Sequence, residues 1–439
     1  MKADSNHHRG TSLRSFLDAQ SAAGHVDTVT EAVSPDYEVA RRLFEHEGRV
    51  QVLENVGAGH GVVGNLASSR DLVADALGTD RAGLVAHIAG AMASTEPATK
   101  QVDAGDLFER EVRDPDLWQE LPPVRFYPQG ERAYLTAGII AARSARHGMN
   151  YSFHRMMFVE GNRLAVRVVP RHLRMILDEG SGGAEVAVLL GLHPAISVAA
   201  ACSGAPDMDE LALAGRLLGR PLPVCDVDGL TVPAEAELVL RGRFTGDVTE
   251  EGPFVDITGT LDGIRQQPAL EIHRLLSRPK PLCTVILPGG LEHRLLMGLP
   301  QEPRIWNTVR AAVPALRDLA LTAGGCAWLH AVVALGPHAT GQAKNAGLAA
   351  LAAHPSLKRV VVVDEDIDVN DAEMVEWAIA TRVQADRDLV VVPGARGSSL
   401  DPCRDPETST TAKWIIDATL PHGARAEEYL RVEPPISTR

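Results

Sequence analysis

Between about Tyr134 and Pro279 the apolar residues come in strand-length bursts, FVEGNRLAVRVV, AEVAVLLGLHP, AELVLRGRF and FVDITGTL, punctuated by Gly and Pro. That period does not suit a helix bundle and predicts a β-rich body with few helices. Both flanks read differently. From Ser12 to about Pro122 the helical patterns SLRSFLDAQ and DYEVARRLFEHEG alternate with a short apolar strand, RVQVLENV, as in an α/β unit. PDLWQELPPVRFYPQG then reads as a linker. After Arg304 the alternation returns in CAWLHAVVAL, a helix through GQAKNAGLAALAAHP, the strand RVVVVD and the helix AEMVEWAIATRV, a second α/β unit. A chain of 439 residues is too long for one core. The expectation is a mixed α/β and β-rich fold in three domains: residues 1–122, 123–304 and 305–439.

Composition narrows the function. The formal net charge of −14 leaves no basic face for a nucleic-acid backbone. The first residues, MKADSNHHRGTS, are polar and lack the apolar core of a signal peptide, and no apolar run reaches the ~18 residues of a membrane span. Cys202, Cys225, Cys283, Cys326 and Cys403 are scattered, with no C-x-x-C pair. A reduced, cytoplasmic setting is the plain reading.

Two stretches imitate known sites. Gly59-His60-Gly61-Val62-Val63-Gly64 follows a strand and precedes the helical pattern SSRDLVADALG, as a dinucleotide fingerprint would. The acidic residue that should meet the ribose is missing, so a glycine-rich turn is the better reading, with a nicotinamide oxidoreductase as the alternative. The acidic run from Asp364 to Asp368 imitates a calcium loop, but Val369 stands where that loop needs glycine and Val375 where it needs glutamate. A solvated strand end is expected there.

Other residues could carry chemistry. Asn150, His172 and Glu210 offer an amide oxygen, an imidazole nitrogen and a carboxylate, a donor set suited to Mn²⁺ or Mg²⁺. Taken singly they read equally well as a turn residue, a surface residue at a helix start and a solvated first-turn acid. Glu251 and Asp256 lie five apart around Gly252-Pro253 and can converge only if the chain bends there. Two carboxylates brought together raise the pKa of one, while a guanidinium holds its neighbour charged. Arg155 is the candidate guanidinium, and an acidic hairpin tip is the bland alternative.

In order and spacing, NYSFHR, PRHL, DELALAGRLLG and EGPFVD resemble the UbiD-type decarboxylases. So do EVAVLLGLHPAISVAAA, VPAEAELVLRG, VVVVDEDIDV followed by Trp377 and Arg382, SSLDP and IIDATLP, so that the resemblance runs from about Leu13 to Pro421. It implies a central split-β-barrel flavin-binding domain and a C-terminal domain that assembles homodimers or homohexamers. Its cofactors would be prenylated FMN, made by a separate flavin prenyltransferase, and Mn²⁺ or Mg²⁺, with K⁺ as a further ion. Asn150, His172 and Glu210 would hold the metal that bridges to the cofactor phosphate. Asp256 would donate the proton, Arg155 would position the substrate carboxylate beside the cofactor, and Glu251 would orient Arg155. The family pattern runs Gly-Pro-Phe-Gly and then usually Glu, so Val255 and Asp256 are departures. Asp keeps the acid but shortens its reach by one methylene. His293 matches a position facing the substrate, and Gln301 lies near one where an arginine meets a second carboxylate. An amide cannot pair with a carboxylate as a guanidinium can. The implied reaction is therefore reversible, non-oxidative loss of CO₂ from an aromatic, heteroaromatic or α,β-unsaturated monocarboxylic acid. A non-catalytic subunit of a carboxylase complex is the remaining alternative, and the retained acids speak against it.

Overall fold

The structure, a computed structural model, describes residues 10–105, 107–180, 183–429 and 431–432. Chain contacts divide it into two units, the first ending at Pro300 and the second opening at Gln301.

In the first unit the strands Val26–Val33 and Val50–Val56 run parallel, joined through the helix Glu38–Glu45. His60–Gly64 returns antiparallel to Val50–Val56 after a turn in which Gly57 and Gly59 take left-handed φ values of 60° and 94°. The glycines of the apparent dinucleotide motif thus serve a hairpin and the strand after it, not the strand-to-helix turn a pyrophosphate needs. The sheet's fourth strand, Leu282–Thr284, comes from far along the chain and pairs parallel to His60–Gly64.

The β-rich middle is a nine-stranded sheet whose spine is the antiparallel pair Leu238–Glu251 and Arg265–Ser277. Its inner strands are apolar on both faces because both are buried. Along Glu185–Leu190, Ala187 and Leu189 enter one core while Val186, Val188 and Leu190 enter another. That double burial explains why these segments read as unbroken apolar runs rather than clean alternation. Three helices, His172–Glu179, Pro194–Ala201 and Glu210–Leu218, punctuate this region. FVDITGTL, expected as one strand, is a hairpin. Phe254–Val255 pairs with Leu261–Asp262 because the chain reverses around Gly259 at φ 74°.

The second unit is a five-stranded sheet in the order Leu316–Leu321, His330–Leu335, Arg359–Asp364, Thr410–Asp417, Leu389–Arg396. Its central strand sends Val360 and Val362 to one core and Val361 and Val363 to the other. The acidic run is the strand end expected from sequence, with Glu365, Asp366 and Asp368 exposed after the strand closes at Asp364, and two of its acids also reach inward. The fully buried Arg382 side chain is bonded by Asp364 at 3.3 Å and by Asp366 at 2.5 Å. Among the described residues no helix is long and apolar enough to cross a membrane.

Candidate active site

Arg155 leaves the sheet between the strands Gly148–Phe153 and Met156–Phe158, and three carboxylates meet it. Glu251, the last residue of its long strand, accepts Nε at 2.8 Å and Nη2 at 3.0 Å, the bidentate geometry that a planar guanidinium favours. Asp262 accepts a further bond from Nη2 at 3.0 Å, and an Asp256 oxygen lies 3.7 Å from Nη1. The expected convergence of Glu251 and Asp256 therefore occurs, and the bend is at Gly252. Its φ is 107°, and a Cβ there would lie 2.8 Å from the Gly263 carbonyl, so glycine is required. Burial works against the Arg155 charge, yet Glu251 and Asp262 raise its pKa above the ordinary arginine value.

The acids differ in freedom. The Glu251 side chain is 0% exposed and also accepts the Tyr134 hydroxyl at 3.2 Å, whereas Asp256 is 21% exposed. Asp256 Oδ1 is taken by the Ile257 N–H at 2.7 Å, which leaves Oδ2 without a hydrogen bond among the described residues. A carboxylate locked on a guanidinium can orient it. One with a free oxygen can move a proton.

Sequence reasoning missed Asp262, Tyr134 and the packing role of Phe254. Phe254 lies under the Arg155 guanidinium, 4.3 Å from its ring centre, and meets Tyr134 edge-on at 4.9 Å. The signal for Asp262 was the Thr258-Gly259 turn. Once the hairpin is recognised, its register sets Asp262 opposite Phe254.

His293 stands on the helix Leu291–Gly298 within electrostatic reach of Asp256 and Arg155. Its Nδ1 accepts the Gly289 N–H at 3.0 Å, so the neutral ring carries its proton on Nε2. Burial pushes its pKa down to about 4, against the pull of Asp256. Gln301 belongs to the second unit, where it precedes the helix Glu302–Ala312.

The second constellation sits on the strand Gly148–Phe153 and two helix starts. Glu210 opens the helix Glu210–Leu218 and His172 opens His172–Glu179. Glu210 is not the solvated acid of the bland alternative. It is 3% exposed and accepts Asn150 Nδ2 at 3.0 Å and the Tyr151 N–H at 3.1 Å. Burial raises its pKa to about 8, and among the described residues no cationic side chain pairs with it. Asn150 and His172 line one cleft with Gly148, Met175, Ile176 and Pro206. No group of three or more His, Cys, Asp or Glu side chains among the described residues could hold a metal, so a cation here would need the Asn150 amide as a donor. The set fits one nonetheless. A buried carboxylate lacking a counter-ion, an amide oxygen and a half-buried imidazole are what a hard divalent ion takes.

Comparison with known proteins gives this arrangement its context. Three family models match in chain order: the N-terminal, Rift-related and C-terminal domains of 3-octaprenyl-4-hydroxybenzoate carboxy-lyase, over residues 17–92, 100–291 and 294–418. The anhydromevalonate phosphate decarboxylase of Methanothermobacter thermautotrophicus is 42% identical over 96% of this chain and 99% of its own length. That of Methanocaldococcus jannaschii is 39% identical over 93% and 97%. Among solved structures, the UbiD-class enzyme HmfF from Pelotomaculum thermopropionicum in complex with FMN superposes with a TM-score of 0.92 at 33% identity, covering 97% of each chain. An evolved dimeric form of HmfF, in complex with prenylated FMN, gives 0.89 at 30% identity, again covering 97% of each chain. With all three domain models in order and full-length relatives at this identity, the chain belongs to the UbiD family and is a carboxy-lyase.

Proposed function

We propose that this protein removes CO₂ reversibly from a phosphorylated, α,β-unsaturated carboxylic acid of the anhydromevalonate phosphate type, using prenylated FMN. The observation that carries the reading is the Arg155 cluster, in which one guanidinium is fixed by Glu251 while a second acid, Asp256, keeps a free oxygen beside it. The substrate differs from the aromatic acid expected from Gln301. Relatives 39–42% identical along more than nine-tenths of the chain are named for a phosphorylated acid, and that weighs more than one pocket position.

Loss of CO₂ from an sp² carbon leaves an electron pair that no side chain can absorb, and prenylated FMN, when bound, supplies the electron sink. Asn150, His172 and Glu210 would hold the divalent ion that anchors its phosphate, which an anionic protein needs in order to retain a dianion. The remaining work belongs to the chain. Arg155 positions the substrate carboxylate, and Glu251, gripping two of its nitrogens, keeps the fork at one angle. Phe254 and Tyr134 pack beneath this pair and limit water. Asp256 carries a proton on Oδ2 to the carbon that loses CO₂, and His293 offers its Nε2–H to the substrate.

The test is production with and without a flavin prenyltransferase. Protein made with it should release CO₂ from anhydromevalonate phosphate, and protein made without it should be inactive. Full turnover with ordinary FMN would overturn the cofactor assignment.

A further inference from the structure

A phosphorylated substrate carries a second anion, and Arg155, held by Glu251 and Asp262, is committed to the carboxylate end. Gln301 offers no charge. A cation elsewhere must meet the phosphate, and in a chain of net charge −14 an unpaired, half-buried guanidinium near the site is a conspicuous candidate.

Arg167 is such a group. The ladder between Met156–Phe158 and Arg163–Val166 pairs Val166 with Met156 and continues one step further, where the Arg167 N–H donates to the Arg155 carbonyl at 3.1 Å. Opposite residues of an antiparallel pair present their side chains on the same face, with Cβ atoms about 5 Å apart. Arg167 therefore stands beside Arg155. Like charges so placed are unfavourable unless each meets an anion. Arg155 meets Glu251 and Asp262, and Arg265 also pairs with Asp262. The Arg167 side chain has neither a hydrogen bond nor a carboxylate within 4 Å among the described residues. Burial first, then Arg265 and Arg155, lower its pKa, and the more distant Asp262 and Glu251 offset this only in part.

We infer that Arg167 binds the substrate's phosphate, so that two neighbouring guanidiniums on one ladder read the two ends of the acid, Arg155 the carboxylate and Arg167 the phosphate. The assignment rests on the reading of the substrate as a phosphorylated acid. A compact molecule with its phosphate a few bonds from its carboxylate can reach two forks that start about 5 Å apart. An aromatic monocarboxylate would leave Arg167 with nothing to bind. Arg294 is the competing cation. Its Nε donates to the Ile257 carbonyl at 3.1 Å, so that guanidinium already has a partner where that of Arg167 has none among the described residues.

The experiment is calorimetric titration of the as-isolated protein with anhydromevalonate phosphate and with the same acid lacking its phosphate. Wild type should prefer the phosphorylated acid. Arg167→Gln should weaken it about 100-fold and the phosphate-free acid by no more than about threefold, with Arg167→Lys recovering part of the difference. Flavin content, read by absorbance, should not change. Equal losses for both acids, loss of flavin from Arg167→Gln, or a preference abolished by Arg294→Gln and kept by Arg167→Gln would each overturn the assignment. If the phosphorylated acid binds through Arg167 but the prenylated-FMN enzyme releases no CO₂ from it, the anion site stands and the decarboxylation reading falls.

Discussion

At the scale of single residues, one atom separates the roles of the two paired acids. Asp256 Oδ2 makes no hydrogen bond among the described residues and only a 3.7 Å ion pair to Arg155, while both oxygens of Glu251 are hydrogen-bonded by Arg155. Asp256→Asn should therefore lower CO₂ release roughly 10²- to 10⁴-fold and depress solvent-deuterium exchange into the product in parallel, since both need the same proton. Near-normal release and exchange in Asp256→Asn, with loss of both in Glu251→Gln, would exchange the roles. A second prediction concerns Glu292, which is 3% exposed and accepts the Asn65 and Ala67 N–H groups. Burial raises its pKa from 4.5 to about 7. The folded protein then holds a proton that the unfolded chain has released, so this group favours folding most below pH 4.5 and its contribution is lost as pH rises to about 7. The swing is on the order of 3 kcal/mol. Denaturant titrations of wild type and Glu292→Gln from pH 5 to pH 8 should show the stability difference moving toward the variant by up to that amount, whatever constant offset the lost acceptor introduces. A difference that does not vary with pH would refute it. Arg155, Glu251 and Asp256 were legible in the sequence through the resemblance carried by NYSFHR and EGPFVD, since local spacing alone left an acidic hairpin tip open. Tyr134 and Asp262 were not, because they reach Arg155 only through pairing that spacing does not reveal.

At the scale of elements, the metal-type constellation depends on where one helix sits. Glu210 is held by the helix Glu210–Leu218, and at Gly215 that helix lies against the chain at Ala98, where a Cβ would come 1.9 Å from the Ala98 carbonyl oxygen. Gly215→Ala cannot be accommodated without moving the helix or the strand Thr99–Gln101 beside it. A loss of about 1–3 kcal/mol is expected, with weaker retention of cofactor as Glu210 shifts. Unchanged melting and unchanged flavin content would show that the contact is slack. The helix itself was readable from its pattern, and Asp209 and Gly219 cap it. The burial of Glu210 was not, because an acid in a first turn normally faces water. The strands Val26–Val33, Leu316–Leu321 and Leu389–Arg396 also escaped the reading. Val26–Val33 and Leu389–Arg396 are largely exposed, and Leu316–Leu321 carries Arg317 and Asp318 among its apolar residues.

At the scale of the whole molecule, the second unit has its own five-stranded sheet and its own buried clusters, one around Val360 and the other around Val361. A fragment from Gln301 onward, about 140 residues, is large enough to bury a sufficient core and should fold alone with a cooperative thermal transition in circular dichroism. A broad, dye-binding transition would show that it does not. The first unit has a different dependence on order. Its sheet pairs His60–Gly64 with Leu282–Thr284, and about 220 residues separate the two partners. During synthesis at ~5–20 residues per second, the edge at His60–Gly64 would wait roughly 10–40 seconds for its neighbour to be made. An exposed, apolar strand edge is a template for pairing with other chains. This protein therefore emerges from the ribosome with an open seam, and how much of it reaches the native state depends on what shelters Val62 and Val63 until Cys283 arrives.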